Sequence, residues 1–256
     1  KGFMELNYKK LGEGKPLIIL HGLFGSLDNW MSLAKEWSSK NQVWLVDQRN
    51  HGQSPHSQDF SYQLMAEDLH NFLLQHYIEN PIILGHSMGG KTAMEFAVNH
   101  PDMLEKLIVV DIAPVSYQVH HYQIIDALES VDLNRVESRK QADEILSGKI
   151  HEFGVRQFLL KNLYWKEKGV LAWRFNLSSI KEQIIPISSW SISSKFFHKE
   201  TLFIKGEKSE YILEEYKQQI AEKFSNYSLE TVAGAGHWVH AEKREDFKQL
   251  VDNFLA

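Results

Sequence analysis

A series of short, continuously apolar runs constrains this chain more than any other feature. PLIILHG (16–22), VWLVDQR (43–49), PIILGHS (81–87), KLIVVDIA (106–113) and TLFIKGE (201–207) each read as a strand, and SLETVAG (228–234) is a sixth, less apolar run. A strand with one face in water alternates apolar and polar residues. A run that is apolar throughout needs cover on both faces. Helical patterns supply that cover at Asp28–Lys40, Tyr62–His76, Gly89–Asn99, Tyr211–Phe224 and Arg244–Leu255. Strands alternating with helices imply an α/β architecture, a mostly parallel sheet wrapped by helices. MELNYKKLG (4–12) alternates instead, which suits an antiparallel edge.

The rhythm stops after Ala113. From Pro114 to about Glu200 no strand is predicted, and helices are expected at Ile124–Ser130, Val136–Leu146 and Val155–Trp165. Such a stretch is too long for a loop between neighbouring strands. The expected division is therefore a core of residues 1–113 and 201–256, with residues 114–200 inserted as a helical lid.

The 256 residues suffice for one large domain with a buried core, and the net charge of −5 argues against non-specific nucleic-acid binding. No apolar run reaches the length of a membrane helix, and the opening KGFMELNYKK lacks the apolar region of a secretory signal. The absence of cysteine removes disulfides, zinc thiolates and cysteine nucleophiles, and suits a cytoplasmic protein. No metal-ligand spacing stands out, so no metal and no cofactor are expected.

ILGHSMGGK (83–91) places Ser87 between a strand and a helix, with Gly85 and Gly89 on either side. That setting is a nucleophile elbow: a sharp turn exposes the serine oxygen, and side chains at the two glycines would clash with it. The following helix start offers free N–H groups to a developing oxyanion. HGLFGS (21–26) ends the first buried run, and an N–H of Leu23 or Phe24 is placed to join that of Met88 in an oxyanion hole. Alone, the same loop is a turn with a structural His21. Of thirteen histidines, His237 stands apart. AGAGHWVHAEK (233–243) sets it in a glycine-rich loop between the last strand and the last helix. His240, at the start of that helix, is its competitor and reads as a supporting or capping group.

HGLFGS, DQRNHGQS (47–54), GHSMGGK (85–91), VVDIAP (109–114), WRFNL (173–177) and GAGHWVHAEK (234–243) together resemble the α/β-hydrolase superfamily. The likeness is greatest to the small bacterial YbfF-type esterases and their mitochondrial relatives, and is weakest in the insertion. It implies cofactor-free hydrolysis of small-molecule carboxylic esters, with acyl-CoA thioesters as candidate substrates. Ser87 would be the nucleophile and His237 the base. A serine at the elbow does not fit the aspartate-dependent dehalogenases and epoxide hydrolases. A carbon–carbon hydrolase, a menaquinone-pathway-type lyase and a ligand receptor on the same fold remain alternatives.

The acid departs from the usual pattern. Most of the superfamily places it after the strand that here reads TLFIKGE, yet Ser209 occupies that position and Glu210 lies one residue further on. Asp111 ends KLIVV, the strand that follows the nucleophile's strand and helix, so a parallel sheet puts it on the same edge as Ser87. Asp111 is therefore the expected acid, with Glu210 the alternative and an N-cap or hinge role for Asp111 the bland one. Within 149–181, Lys149, Arg156, Lys161, Lys166, Lys168, Arg174 and Lys181 face only Glu152 and Glu167, with aromatic residues between them. This reads either as a surface for an anionic leaving group such as CoA or as a solvated helix face.

Overall fold

The computed structural model describes residues 4–191 and 194–256. Along the chain come β1 (Tyr8–Leu11), β2 (Lys15–Leu20), α1 (Met31–Trp37), β3 (Asn41–Val46), α2 (Tyr62–Gln75), β4 (Ile82–His86), α3 (Met88–Asn99) and β5 (Lys106–Val110). The insertion follows with α4 (Tyr122–Glu129), α5 (Arg139–Ser147), α6 (Phe153–Leu160), β6 (Leu163–Glu167), β7 (Val170–Trp173), α7 (Leu177–Glu182) and α8 (Ile184–Ser188). The chain then closes with β8 (Thr201–Gly206), α9 (Lys217–Lys223), β9 (Tyr227–Val232), α10 (Val239–Glu242) and α11 (Arg244–Leu255).

Seven strands form one sheet in the order β1-β3-β2-β4-β5-β8-β9. Among the described residues of this sheet, β1 alone runs antiparallel, pairing with β3, and the other neighbours are parallel. The continuous apolar runs are explained by the pleat. Ile18 and Leu20 of β2, with Ile83 of β4 and Leu107 and Val109 of β5, pack on one face against Leu69, Phe96 and Ala97 of α2 and α3. Leu17, Ile19, Ile82, Leu84, Ile108 and Val110 point the other way, into a core shared with Leu33 and Trp37 of α1 and Phe247 and Val251 of α11. The central strands β2, β4 and β5 thus alternate between two dry faces, which explains why their runs are apolar nearly throughout.

The insertion joins β5 to β8 and carries its own apolar cluster. Ile125, Leu128, Leu146, Leu160 and Trp173 gather there on Phe24, Tyr62, Met65 and Met88 from the sheet-bearing part of the chain. One expectation is corrected here, because residues 114–200 are not wholly helical. β6 and β7 form an antiparallel hairpin where a helix over Val155–Trp165 was predicted. Helix α6 stops at Leu160, and the Asn162 side chain is spent on the carbonyls of Phe24 (2.8 Å) and Leu159 (3.1 Å). Gly169 then takes φ +79°, which turns the chain back, and the Arg174 guanidinium lies 3.5 Å from the Tyr164 ring centroid. A second correction concerns Tyr211–Phe224, where the helix begins only at Lys217 after a 3₁₀ turn at Glu214–Tyr216. The backbone of Tyr211 is committed elsewhere: its N–H donates to Ser209 Oγ and its carbonyl accepts from Tyr117 Oη.

At the centre of the sheet the chain makes its closest backbone approach. A Cβ on Gly85 would lie 2.1 Å from the Gly89 carbonyl oxygen, and one on Gly89 would lie 2.3 Å from the Leu20 carbonyl oxygen. Gly85→Ala should therefore lower unfolding free energy by more than about 2 kcal/mol. Gly154→Ala, in α6 where a Cβ meets nothing within 4 Å, should be neutral or stabilising by up to about 1 kcal/mol. Denaturant unfolding of the two variants beside the parent measures both, and a Gly85→Ala midpoint equal to the parent's contradicts the packing.

Candidate active site

Ser87 sits where β4 ends and α3 begins, with φ 54° and ψ −118°. A residue with a Cβ is strained in that region, at a cost of order 1–3 kcal/mol. The turn persists because both backbone groups are bonded. The Ser87 N–H donates to the Val110 carbonyl (3.0 Å), and its carbonyl accepts from Gly90 (2.8 Å) and Lys91 (3.1 Å). The hydroxyl is left pointing out of the sheet edge.

His237 comes from the loop between β9 and α10. Its Nε2 stands 2.9 Å from Ser87 Oγ and its Nδ1 2.7 Å from Asp111 Oδ2. Asp111 directly follows β5, is fully buried, and also has a positive φ of 54°. It accepts from the Gly206 N–H at 3.0 Å and from the Ser209 hydroxyl at 2.5 Å. All its partners are donors, an inventory that a carboxylate satisfies as an acceptor. Ser209 stands where the superfamily's acid was expected, and here it bonds the carboxylate that His237 touches. Glu210 is exposed and bonds no group among the described residues. Of the expected site residues, Ser87, His237 and Asp111 are brought into one hydrogen-bonded line.

Of the two N–H groups at Leu23 and Phe24, one is occupied by His51. The Phe24 N–H already donates to His51 Nε2 at 3.1 Å, whereas the Leu23 N–H has no partner among the described residues. Leu23 and Met88 both line the cavity space at Ser87. His240 does not reach Ser87. It is buried and stacks on Trp30 with ring centroids 4.0 Å apart.

Several residues that support this arrangement carry no motif of their own. Tyr211 stacks on His237 at 4.1 Å, and Tyr117 Oη donates to the Tyr211 carbonyl while accepting from the Ala113 N–H. The DQRNHGQS stretch proves to be scaffolding. Asp47 accepts from the N–H groups of Leu27 and Gln53, Arg49 pairs with Asp68 at 2.6 Å, and His51 bonds the loop of Leu23. Lys91, one turn beyond Ser87, is buried with its ammonium donating to the carbonyls of Ser188 (3.2 Å) and Ser189 (3.0 Å). Burial pulls it down to about 7. An amphipathic pattern does not distinguish such a lysine from a surface one, so sequence reasoning passed over it.

Around the site lies a set of buried histidines. His21 accepts the Gln48 N–H on Nε2 (2.9 Å), so its Nδ1 carries the proton and donates to the Gly22 carbonyl (2.8 Å). His51 is arranged alike, with Nδ1 donating to the Arg49 carbonyl. Burial pulls His21 down to about 4 and His51 to about 3, the latter helped by its neighbour His21. His240 is pulled to about 3 by burial and by His237. Among the described residues no group of three or more His, Asp or Glu could hold a metal ion, and no helix is long and apolar enough to cross a membrane.

A family model described as alpha/beta hydrolase fold matches residues 15–244. The chain is 40% identical to the sn-1-specific diacylglycerol lipase ABHD11 of Mus musculus over 248 residues, covering 94% of this chain and 80% of that one. It is 38% identical to Esterase YbfF of Escherichia coli over 241 residues, covering 94% and 92%. A solved structure titled Marine microorganism esterase superposes with a TM-score of 0.96 at 47% identity, covering 98% and 99% of the two chains.

The buried histidines make a pH prediction. In the native state His21, His51 and His240 stay neutral, while the unfolded chain takes up their protons below pH 6.5. The unfolded state then binds more protons, so stability is complete above pH 6.5 and is lost as pH falls toward about 4 and then about 3. The thermal midpoint should drop by several degrees, about 5 °C or more, between pH 7 and pH 5. A flat midpoint across that window contradicts the neutral cluster.

Proposed function

Since the chain belongs to the α/β-hydrolase family, we propose that it hydrolyses carboxylic esters with Ser87 as nucleophile, His237 as base and Asp111 as the acid. The observation that carries the reading is the bonded line Ser87–His237–Asp111, at 2.9 and 2.7 Å, beside two backbone N–H groups, of Leu23 and Met88, without partners among the described residues. Ser87 Oγ attacks the carbonyl carbon as its proton passes to His237 Nε2. Asp111 accepts from Nδ1–H, which fixes the tautomer and balances the imidazolium charge. The carbonyl oxygen takes its negative charge between the N–H groups of Leu23 and Met88. His237 returns the proton to the leaving oxygen, and water then releases the acyl group by the same steps in reverse.

The inserted residues 114–200 act as a lid in this reading, since Ile124, Val155, Phe158 and Leu159 roof the cavity over Ser87. Thioesters are the second reading, and Lys161 favours it: this exposed cation lines the same cavity. The wider basic surface is smaller than its sequence suggests, because Arg156 pairs with Asp143 and Lys181 with Glu129. The absence of cysteine suits a place in the cytoplasm.

Ser87→Ala should reduce kcat on p-nitrophenyl butyrate by about 10⁶-fold and abolish labelling by a fluorophosphonate. Asp111→Asn should cut kcat by about 10⁴-fold with the fold intact by circular dichroism. Glu210→Gln should stay within about twofold of the parent, as expected for an exposed group away from the site. The assignment of the acid is wrong if Glu210→Gln is the inactive protein and Asp111→Asn turns over normally. A ligand receptor would instead label once and show no sustained turnover.

A further inference from the structure

Two cavities of unequal size meet at Ser87. The larger, of about 460 Å³, has His237, Trp238, Phe158, Leu159 and Trp30 in its walls. The smaller, of about 30 Å³, is walled by Met88, Lys91, Ile112, Tyr62 and Tyr117. Ser87 and Leu23 belong to both, but His237 lines only the larger of the two.

That asymmetry orients the substrate. The tetrahedral adduct on Ser87 carries three other substituents: the oxyanion, the acyl chain and the leaving oxygen. The oxyanion is directed to Leu23 and Met88. The proton that His237 takes from Ser87 is the one given to the leaving oxygen as the carbon–oxygen bond breaks, so the leaving group lies on the His237 side. The acyl chain takes the remaining direction, past Met88. Resting on the ester-hydrolase reading, we propose that this protein cleaves esters of short acyl groups with bulky apolar alcohols, the acyl chain in the small cavity and the alcohol in the large one.

The volumes set the scale. The small cavity is about one-fifteenth the volume of the large one, so it suits the shorter side of the ester. Its walls have little freedom to give way. Met88 and Ile112 are buried, the Lys91 ammonium is bonded to two carbonyls, and the Tyr117 hydroxyl both donates and accepts. Ile112 also sits tight against α3, where a Cβ on Gly90 would lie 2.6 Å from its Cγ2. The large cavity is walled mainly by aromatic and aliphatic side chains, which suits an apolar alcohol.

Octyl acetate and ethyl octanoate test this directly, because they are isomers that differ only in which side of the ester is long. The parent protein should hydrolyse octyl acetate with a kcat/KM at least about tenfold higher. Ile112→Ala, which enlarges the small cavity, should move the ratio toward ethyl octanoate by about fivefold or more. If that variant does not fold, the ratio measured on the parent decides by itself. Equal rates, or a preference for ethyl octanoate, overturn the orientation and leave the hydrolase reading standing. Failure to turn over either ester, with no fluorophosphonate labelling of Ser87, removes both.

Discussion

The contact between strand β4 and helix α3 at Gly85 and Gly89 governs the geometry of everything around it. With no side chain at either position, the first turn of α3 rests on the carbonyls of Leu20 and His21 at the end of β2. That approach bends the chain sharply enough to hold Ser87 in its strained conformation, and it brings the HGLFGS loop beside the α3 N-terminus. Leu23 and Met88 line the same cavity beside Ser87 because these two backbones touch. The strain at Ser87 is offset by bonds to Val110, Gly90 and Lys91, two of them within α3 itself.

From that contact outward, the parallel sheet does the positioning. β4, β5 and β8 are neighbours, so Ser87, Asp111 and Ser209 leave the same edge in adjacent places. Asp111 bonds the Gly206 N–H at the end of β8, which ties its carboxylate to the neighbouring strand. Ser209 then serves as a donor to Asp111. Buried histidines add a dry, neutral scaffold around the HGLFGS loop: the rings of His21 and His51 each accept from one backbone N–H and donate to one carbonyl, which suits the uncharged form.

The insertion is tied to this edge by directed bonds as well as by its apolar cluster. Asn162 reaches the Phe24 carbonyl, Tyr62 Oη donates to the Ile187 carbonyl, and Lys91 holds the carbonyls that end α8. These ties decide how the space over Ser87 is divided. Lys91, Tyr62 and Tyr117 restrict one side, while α6 and the His237 loop stand back on the other.

By itself the sequence determined the parallel α/β core, the antiparallel edge at β1, the insertion between β5 and β8, and the candidate trio of Ser87, His237 and Asp111. These were legible because strand and helix periods, glycine at a tight turn and the order of elements are local or one-dimensional properties. The hairpin at Leu163–Trp173 was not, since its residues suit a helix until Asn162 is drawn to Phe24, a contact 138 residues away in sequence. Which of the Leu23 and Phe24 N–H groups is already bonded was equally closed to inspection, because it depends on where the His51 ring lies. Tyr211, Ser209 and Lys91 gained their roles in the same way. Only the tertiary structure settled those points: a hydrogen-bond acceptor or a cavity wall is defined by what lies across space, and periodicity along the chain carries no record of it.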